Sequence, residues 1–251
     1  MSRRRRLDAD LVRRQLVASR TEAQELIDLG RVLVNGAVAE KASRLVDPGD
    51  AVVIEGPPAR FVSRGGEKLA HALEAFGIDP GGRRVLDAGA STGGFTDCLL
   101  QAGAEHVVAL DVGHGQLHPR IRSDRRVTVF ERFNVREVAP ESIGGSVDMV
   151  VADLSFISLT LVVRALLGVC REGADVVLLV KPQFEAGKRD VARGHGVITD
   201  PEVQQRAVDD VTAACTAAGA SVLAVVESPI RGAEGNKEFL LHAVAHGRMS
   251  P

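Results

Sequence analysis

Four charged residues stand where the hydropathy pattern leaves little room for charge. Asp153 ends the apolar run Met149-Val150-Val151-Ala152, and Lys181 ends Val176-Val177-Leu178-Leu179-Val180. Glu238 comes just before Phe239-Leu240-Leu241. Lys68 opens a segment with helical apolar spacing at Leu69, Ala72, Leu73 and Phe76. A charge at the mouth of a buried strand is partly desolvated, so its protonation can be tuned. A lysine in a first turn opposes the helix dipole, and local inconsistencies of this kind mark functional positions. Taken singly, Asp153, Lys181 or Glu238 reads as an exposed strand-end charge and Lys68 as a solvated first-turn lysine. Together, two amines and two acids make an acid–base device. Lys181 is the candidate base for a weak nucleophile, with Lys68 nearby and Asp153 and Glu238 steering the lysines and the nucleophile.

The elements that must position them alternate. Strands are predicted at 85–87, 106–112, 127–130, 147–153, 175–180, 222–226 and 239–244. Helices are predicted at 96–102, 159–169 and 202–218. This pattern predicts a seven-stranded, mostly parallel α/β sheet covered on both faces, with ligands bound at the carboxyl ends of the strands.

The first such end reads Asp87-Ala88-Gly89-Ala90-Ser91-Thr92-Gly93-Gly94-Phe95. Its small residues let the backbone approach a ligand, and the helix that follows offers N–H donors. Asp111, with Val112 beside it, ends the second strand about twenty residues on, where a carboxylate takes both hydroxyls of a ribose. Asn134 follows the third strand, where class I methyltransferases, which this region resembles, contact the adenine; the alternative is a plain turn residue. Asp153 and Leu154 are further candidate cofactor contacts. An acid inside the turn repels a pyrophosphate but tolerates a sulfonium and an amine, and the full G-x-G-x-x-G spacing is missing. The cofactor read from these residues is S-adenosylmethionine rather than NAD. The string resembles motif I of class I methyltransferases in its FtsJ-like 2′-O-methyltransferase form. That resemblance implies a Rossmann-like class I methyltransferase fold and in-line transfer to a ribose hydroxyl. Asp153-Leu154-Ser155-Phe156 is not the clamp of amino methyltransferases, and no cysteine stands there for covalent attack on a pyrimidine.

The 251-residue chain has a net charge of −2, but the charge is uneven: residues 1–64 carry 12 basic and 9 acidic side chains. Arg3, Arg4, Arg5, Arg6, Arg13, Arg14 and Arg20 lie in the first twenty residues, against Asp8 and Asp10. A basic end on an acidic body points to an anion-binding appendage. Apolar spacing predicts helices over 7–18 and from about Thr21, its N-cap, to Gly30. Strands follow at 31–34 and 51–54, with a hairpin turn at Asn35-Gly36. This order resembles the S4-like RNA-binding domain, a small α+β unit whose helix pair contacts RNA phosphates. The absence of Trp and Tyr suits recognition by shape rather than base stacking. The alternative is a small module for protein contacts. Glu55-Gly56-Pro57-Pro58-Ala59 has a boundary composition, which divides the chain into an S4-like domain at 1–58, a linker at 59–64 and a methyltransferase domain at 65–251. Gly65-Gly66 is expected just before a helix start, with Arg64 beside it as an RNA contact.

Cys98, Cys170 and Cys215 are odd in number and far apart, so they read as reduced core thiols, with no metal site. Apolar runs are too short for a bilayer span, and a cytoplasmic protein is expected. Across both domains the chain resembles the TlyA family of ribosomal-RNA 2′-O-methyltransferases, also known historically as haemolysins. The strings that carry this are 62–69 (VSRGGEKL), 86–96 (LDAGASTGGFT), 151–158 (VADLSFIS) and 180–185 (VKPQFE). The family's linker often holds R-x-W-V, where this chain has Arg60-Phe61-Val62. The resemblance places the K-D-K-E tetrad on Lys68, Asp153, Lys181 and Glu238. It implies cytidine 2′-O-methylation in 16S and 23S ribosomal RNA and sensitivity to capreomycin-type antibiotics. The partners implied are ribosomal RNA or ribosomal subunits, without a membrane, and a monomer is favoured. Phe184 to Thr199 reads as an RNA-facing loop or a solvated insertion. The competing functions are a non-catalytic RNA-binding protein and a membrane-active haemolysin.

Overall fold

The computed structural model describes residues 4–17, 19–28, 30–56, 59–186, 196–232 and 234–246. Arg3 and residues 187–195 of the expected RNA-facing loop lie outside them.

In the N-terminal unit, β1 (Arg5–Arg6) runs into α1 (Leu7–Arg13) and α2 (Arg20–Asp28). Then come β2 (Val32–Val34), β3 (Ala37–Val38), β4 (Leu45–Val46) and β5 (Val52–Ile54). Helix α1 is shorter than the apolar spacing predicts. Gln15 turns to φ 61°, and the amide of Leu16 folds back on the carbonyl of Leu11. Helix α2 starts one residue before the expected Thr21 cap, with Ser19 Oγ accepting the amide of Glu22 at 3.1 Å. Asn35-Gly36 forms the expected hairpin, with both residues at positive φ. Leu7, Leu11, Ala23, Ile27, Val32 and Val34 make a small core.

The second unit opens with α3 (Gly65–Phe76), which includes both glycines expected to precede it. It continues through β6 (Arg84–Ala88), α4 (Gly94–Gln101), β7 (His106–Leu110), α5 (Pro119–Arg122), β8 (Val127–Phe130) and β9 (Val147–Ala152). The remaining elements are α6 (Val163–Gly168), β10 (Cys170–Val180), α7 (Pro182–Glu185), α8 (Pro201–Ala217), β11 (Ala220–Glu227) and β12 (Phe239–Ala245). The helix expected at 159–169 is divided. Ser158 caps a single 3₁₀ turn, and the α-helix begins at Val163.

Among the described residues, seven strands form one sheet in the order β11-β12-β10-β9-β6-β7-β8. All neighbours are parallel except β12, which runs antiparallel to both β10 and β11. The apolar runs are buried because both faces are covered. Along β10, Val176, Leu178 and Val180 enter one core while Val177 and Leu179 enter the other. Each such side chain contributes about 1.5–3 kcal/mol by leaving water. From β6 the chain builds outward to β7 and β8, then returns to β9 on the other side of β6. This reversal opens a crevice above β6 and β9, where open α/β sheets bind ligands.

Phe61 joins the second core, and Gly66 makes room for it: a Cβ there would lie 2.3 Å from the ring. Gln101 Nε2 donates to the Arg60 carbonyl at 2.9 Å, and the Val62 amide donates to Asp97 Oδ2 at 2.8 Å. Burial pushes the thiols of Cys98 and Cys170 up to about 12 and that of Cys215 up to about 11, so none is a nucleophile near neutral pH. No helix among the described residues is long and apolar enough to cross a membrane.

Candidate active site

The crevice consists of two hollows of about 470 and 510 Å³ that share Gly89, Ser91, Asp153, Ser155 and Phe156. Lys68, Asp153, Lys181 and Glu238 all line the first. They are sorted into two ion pairs. Lys68 Nζ lies 2.5 Å from Glu238 Oε2, and Lys181 Nζ lies 2.5 Å from Asp153 Oδ1. Lys181 also donates to Ser155 Oγ at 3.0 Å. Each ammonium therefore has its own carboxylate, and both lysines line the same hollow. Burial makes the pairing necessary: Lys68 and Lys181 are each 8% exposed and Glu238 is 3% exposed.

The glycine loop leaves β6 at the floor of the crevice. Gly89 adopts φ +89°, and a Cβ on it would lie 2.4 Å from the Asp153 carbonyl, so only glycine fits between the two strand ends. Gly94 does the same between helices: its Cβ would meet Ser63 Oγ at 2.2 Å and the Gly66 amide at 2.9 Å. The starts of α3 and α4 consequently lie against each other beside the cavity.

Asp111 is fixed by two amides, with Oδ2 accepting from Ser91 at 2.8 Å and Oδ1 from Gly113 at 2.6 Å. It lines the second hollow with Val112, Asn134 and Leu154. Asn134 also caps the following 3₁₀ turn, accepting the amide of Arg136 at 3.1 Å. Ala90, Thr92, Gly94 and Phe95 line the first hollow. Gly93 and Asp87 line neither. Gly93 supports the loop from behind, at φ 96° and close to Leu117. Asp87 is fully buried beneath the loop. Its Oδ2 accepts from Thr96 Oγ1 at 2.6 Å, and its Oδ1 has no hydrogen-bond partner among the described residues. Burial pushes the Asp87 carboxyl up to about 7, against the Thr96 hydrogen bond that lowers it.

Ser63, Ser155, Phe156, Gln183 and Phe184 also line the first hollow, and the sequence reading had not singled them out as site residues. Phe156 is 93% exposed, has φ 64°, and its ring lies 5.3 Å from that of Phe184. Ser63, Ser155 and Phe156 lie on loops without periodicity, and Gln183 and Phe184 on the single-turn helix α7. For Ser155, Phe156, Gln183 and Phe184 the one available signal is that each follows closely on a strand-end charge, Asp153 or Lys181.

The N-terminal arginines are engaged to different degrees. Arg14 is spent on the fold, donating to Asp10, to the Asp50 carbonyl at 2.8 Å and to the Asp47 carbonyl at 3.2 Å. Arg13 pairs with Asp10, Arg4 with Asp47, and Arg6 and Arg20 with Asp8. Arg5 is exposed on β1. Arg64 lines the first hollow instead of joining this cluster.

A mostly parallel seven-stranded sheet with one reversed strand, topped by a glycine loop and a fixed acid at the next strand end, defines a class I methyltransferase. The chain belongs to the FtsJ-like methyltransferases, whose family profile matches residues 61–244, and an S4 domain profile matches residues 5–52. It is 52% identical over 242 residues to the 16S/23S rRNA (cytidine-2′-O)-methyltransferase TlyA of Mycobacterium tuberculosis, covering 96% of this chain and 90% of that one. It is 31% identical to the 23S rRNA (cytidine-2′-O)-methyltransferase TlyA of Campylobacter jejuni, covering 93% and 97%. A solved structure from Streptococcus thermophilus that carries a hemolysin designation superposes with a TM-score of 0.78 at 37% identity, over 100% of this chain and 91% of that one.

Proposed function

We propose that this protein transfers a methyl group from S-adenosylmethionine to the 2′-hydroxyl of cytidine in 16S ribosomal RNA, 23S ribosomal RNA or both. The observation that carries this reading is the meeting of two lysine–carboxylate pairs in one cavity beside the glycine loop. The crevice suits the cofactor. Gly89 leaves its floor flat, and Asp111 is held by two amides with lone pairs to spare for a ribose. The loop from Ala90 to Phe95 and the residues Val112, Asn134 and Leu154 would complete the cradle, with Asp87 and Gly93 holding the loop from beneath. When bound, S-adenosylmethionine supplies a methyl carbon on a cationic sulfur, open to attack by an oxygen.

The chain's own residues do the rest. In the resting pair Lys181 is an ammonium beside Asp153 Oδ1; after it has lost a proton to solvent, its amine takes the hydroxyl proton at Nζ, while Asp153 Oδ1 and Ser155 Oγ fix the direction of that nitrogen. Lys68 and Glu238, paired in the same hollow, would position the hydroxyl so that its oxygen meets the methyl carbon in line. The N-terminal unit would hold the RNA through Arg4, Arg5, Arg6, Arg13 and Arg20, with Arg64 at the cavity and Arg14 bracing the helix. As the resemblance implies, ribosomes so modified would be sensitive to capreomycin-type antibiotics.

The test is transfer of tritium from labelled cofactor to purified small and large ribosomal subunits, with the labelled nucleotides mapped. Label on a cytidine ribose supports the reading. Binding without label would make the chain a non-catalytic RNA binder, and liposome leakage without label a membrane-active protein. Either result overturns it.

A further inference from the structure

The parallel ladder between β9 and β10 ends at the pair Ala152 and Leu178. Two segments run on above the sheet edge. One, from Asp153 to Leu159, carries Asp153 and Ser155. The other is Lys181 with the single turn of α7. Side chains bridge the two at two points. At the reacting centre, Lys181 Nζ reaches Asp153 Oδ1 at 2.5 Å and Ser155 Oγ at 3.0 Å. Farther along, Glu185 Oε1 accepts the amide of Leu159 at 2.8 Å, and its Oε2 accepts from Ser158 Oγ. The mechanism uses the first bridge and leaves Glu185 without a role.

The first bridge is the one that the reaction disturbs. When Lys181 gives up a proton to become the base, its ion pair with Asp153 is reduced to a hydrogen bond between an amine and a carboxylate, and the attraction drops. Segments joined at that point alone would be free to part just when Nζ must face the hydroxyl. The second bridge lies outside the path of the proton. Burial raises the Glu185 carboxyl, against the bonds from Leu159 and Ser158 that lower it, but its Oε1 accepts an amide N–H whether or not the group is ionised. Helix α7 carries the restraint back over a short path: the amides of Phe184 and Glu185 both donate to the Lys181 carbonyl, at 2.9 and 3.3 Å.

The geometry points to Glu185 as a positioning residue for methyl transfer, whose bridge to Ser158 and Leu159 keeps Lys181 in register with Asp153 and Ser155 while the lysine is uncharged. This rests on the reading of Lys181 as the base and deepens it. Glu185 lines neither hollow, so it acts through Lys181 and not on substrate or cofactor.

The experiment follows tritium transfer to purified ribosomal subunits and separates kcat from KM. Calorimetry with S-adenosylhomocysteine counts the sites, so that rates are expressed per bound cofactor. Glu185→Ala cuts the bridge and is expected to lower kcat about ten- to hundred-fold, the cost of a small misplacement of a reacting group. KM for subunits and cofactor affinity should stay within a few fold of wild type. Glu185→Gln keeps an oxygen for the Leu159 amide and offers an N–H to Ser158 Oγ, and it is expected to restore most of kcat. If Glu185→Ala does not fold, Ser158→Ala, which removes one of the two contacts, decides in its place, with a several-fold loss of kcat expected. Unchanged kcat in the folded variant, or an equal loss in Glu185→Gln, overturns the bridge. So does a loss that falls on KM or on the number of sites, which is what a merely structural role would produce. Each of these leaves the methyl-transfer reading intact. Full transfer by Lys181→Ala, or none by the wild type, overturns the reading on which the bridge rests.

Discussion

Lys68 and Glu238 meet at 2.5 Å although 170 residues separate them. The reversed strand makes this possible. In the antiparallel register, Val180 at the end of β10 lies opposite Phe239 at the start of β12. Lys181 and Glu238 are therefore the next residues out on neighbouring strands, at the edge where the parallel strands also end. Helix α3 then brings Lys68 to that edge from outside the sheet.

That pair makes the first prediction. Glu238→Gln leaves a buried ammonium without its counter-ion, which costs about 3–5 kcal/mol. Adding Lys68→Met removes the stranded charge. Urea unfolding is expected to show the double variant recovering most of the lost stability, while methyl transfer stays absent in both. A double variant no more stable than Glu238→Gln would show that the ion pair is not what holds these side chains in place.

Lys181→Ala removes the proposed base but none of the loop that would cradle the cofactor. Methyl transfer is expected to fall by at least about 10²–10⁴-fold. S-adenosylhomocysteine binding, measured by calorimetry, should stay within a few fold of wild type. If binding disappears while turnover per bound cofactor is intact, Lys181 is a cofactor contact and not the base.

How far the sequence carries depends on what each residue needs from its neighbours. Asp153 and Lys181 are legible because each ends an apolar run, and local hydropathy alone sets that position. The pairing of Lys68 with Glu238 is not legible, since it depends on which strand is reversed and on where α3 docks. Asp87 is instructive. As part of the loop string it reads as a cofactor contact, yet strand alternation puts it on the face of Val85, opposite Leu86 and Ala88, and so under the loop. The period of two contained that information. Phe156 lies on an irregular loop and Phe184 on a single helical turn, neither long enough for a periodicity to read. The helix expected at 159–169 fails because Ser158 and Glu185 hold the start as a 3₁₀ turn, with the Leu159 amide donating to Glu185 at 2.8 Å. That is a tertiary contact local propensity does not register.

Gly89→Ala tests the floor of the crevice. The added methyl would sit 2.4 Å from the Asp153 carbonyl on a backbone at φ +89°, so β6 and β9 must part or the loop must shift. Strain at such a position costs about 1–3 kcal/mol. Affinity for S-adenosylhomocysteine is expected to fall by more than about ten-fold, since about 1.4 kcal/mol corresponds to each factor of ten. Unchanged affinity would mean that the cofactor does not approach this turn.

Asp87 gives the protein a pH dependence whose sign is fixed by burial. Its folded carboxyl lies at about 7, against an ordinary value of 3.8. Below 3.8 both folded and unfolded chains hold the proton, and the group makes no difference. Between 3.8 and about 7 the unfolded chain releases the proton while the folded chain keeps it, so stability falls as pH rises; above 7 both are ionised and the loss is constant. Asn at this position cannot ionise and still offers an oxygen to Thr96 Oγ1. Comparing urea midpoints of wild type and Asp87→Asn cancels every other titrating group. The variant is expected to gain on the wild type steadily from pH 4 to pH 7 and to hold that gain at pH 8. A gap that stays flat across this range would mean that the Asp87 carboxylate is solvated or paired in the folded protein, contrary to its burial without a partner on Oδ1.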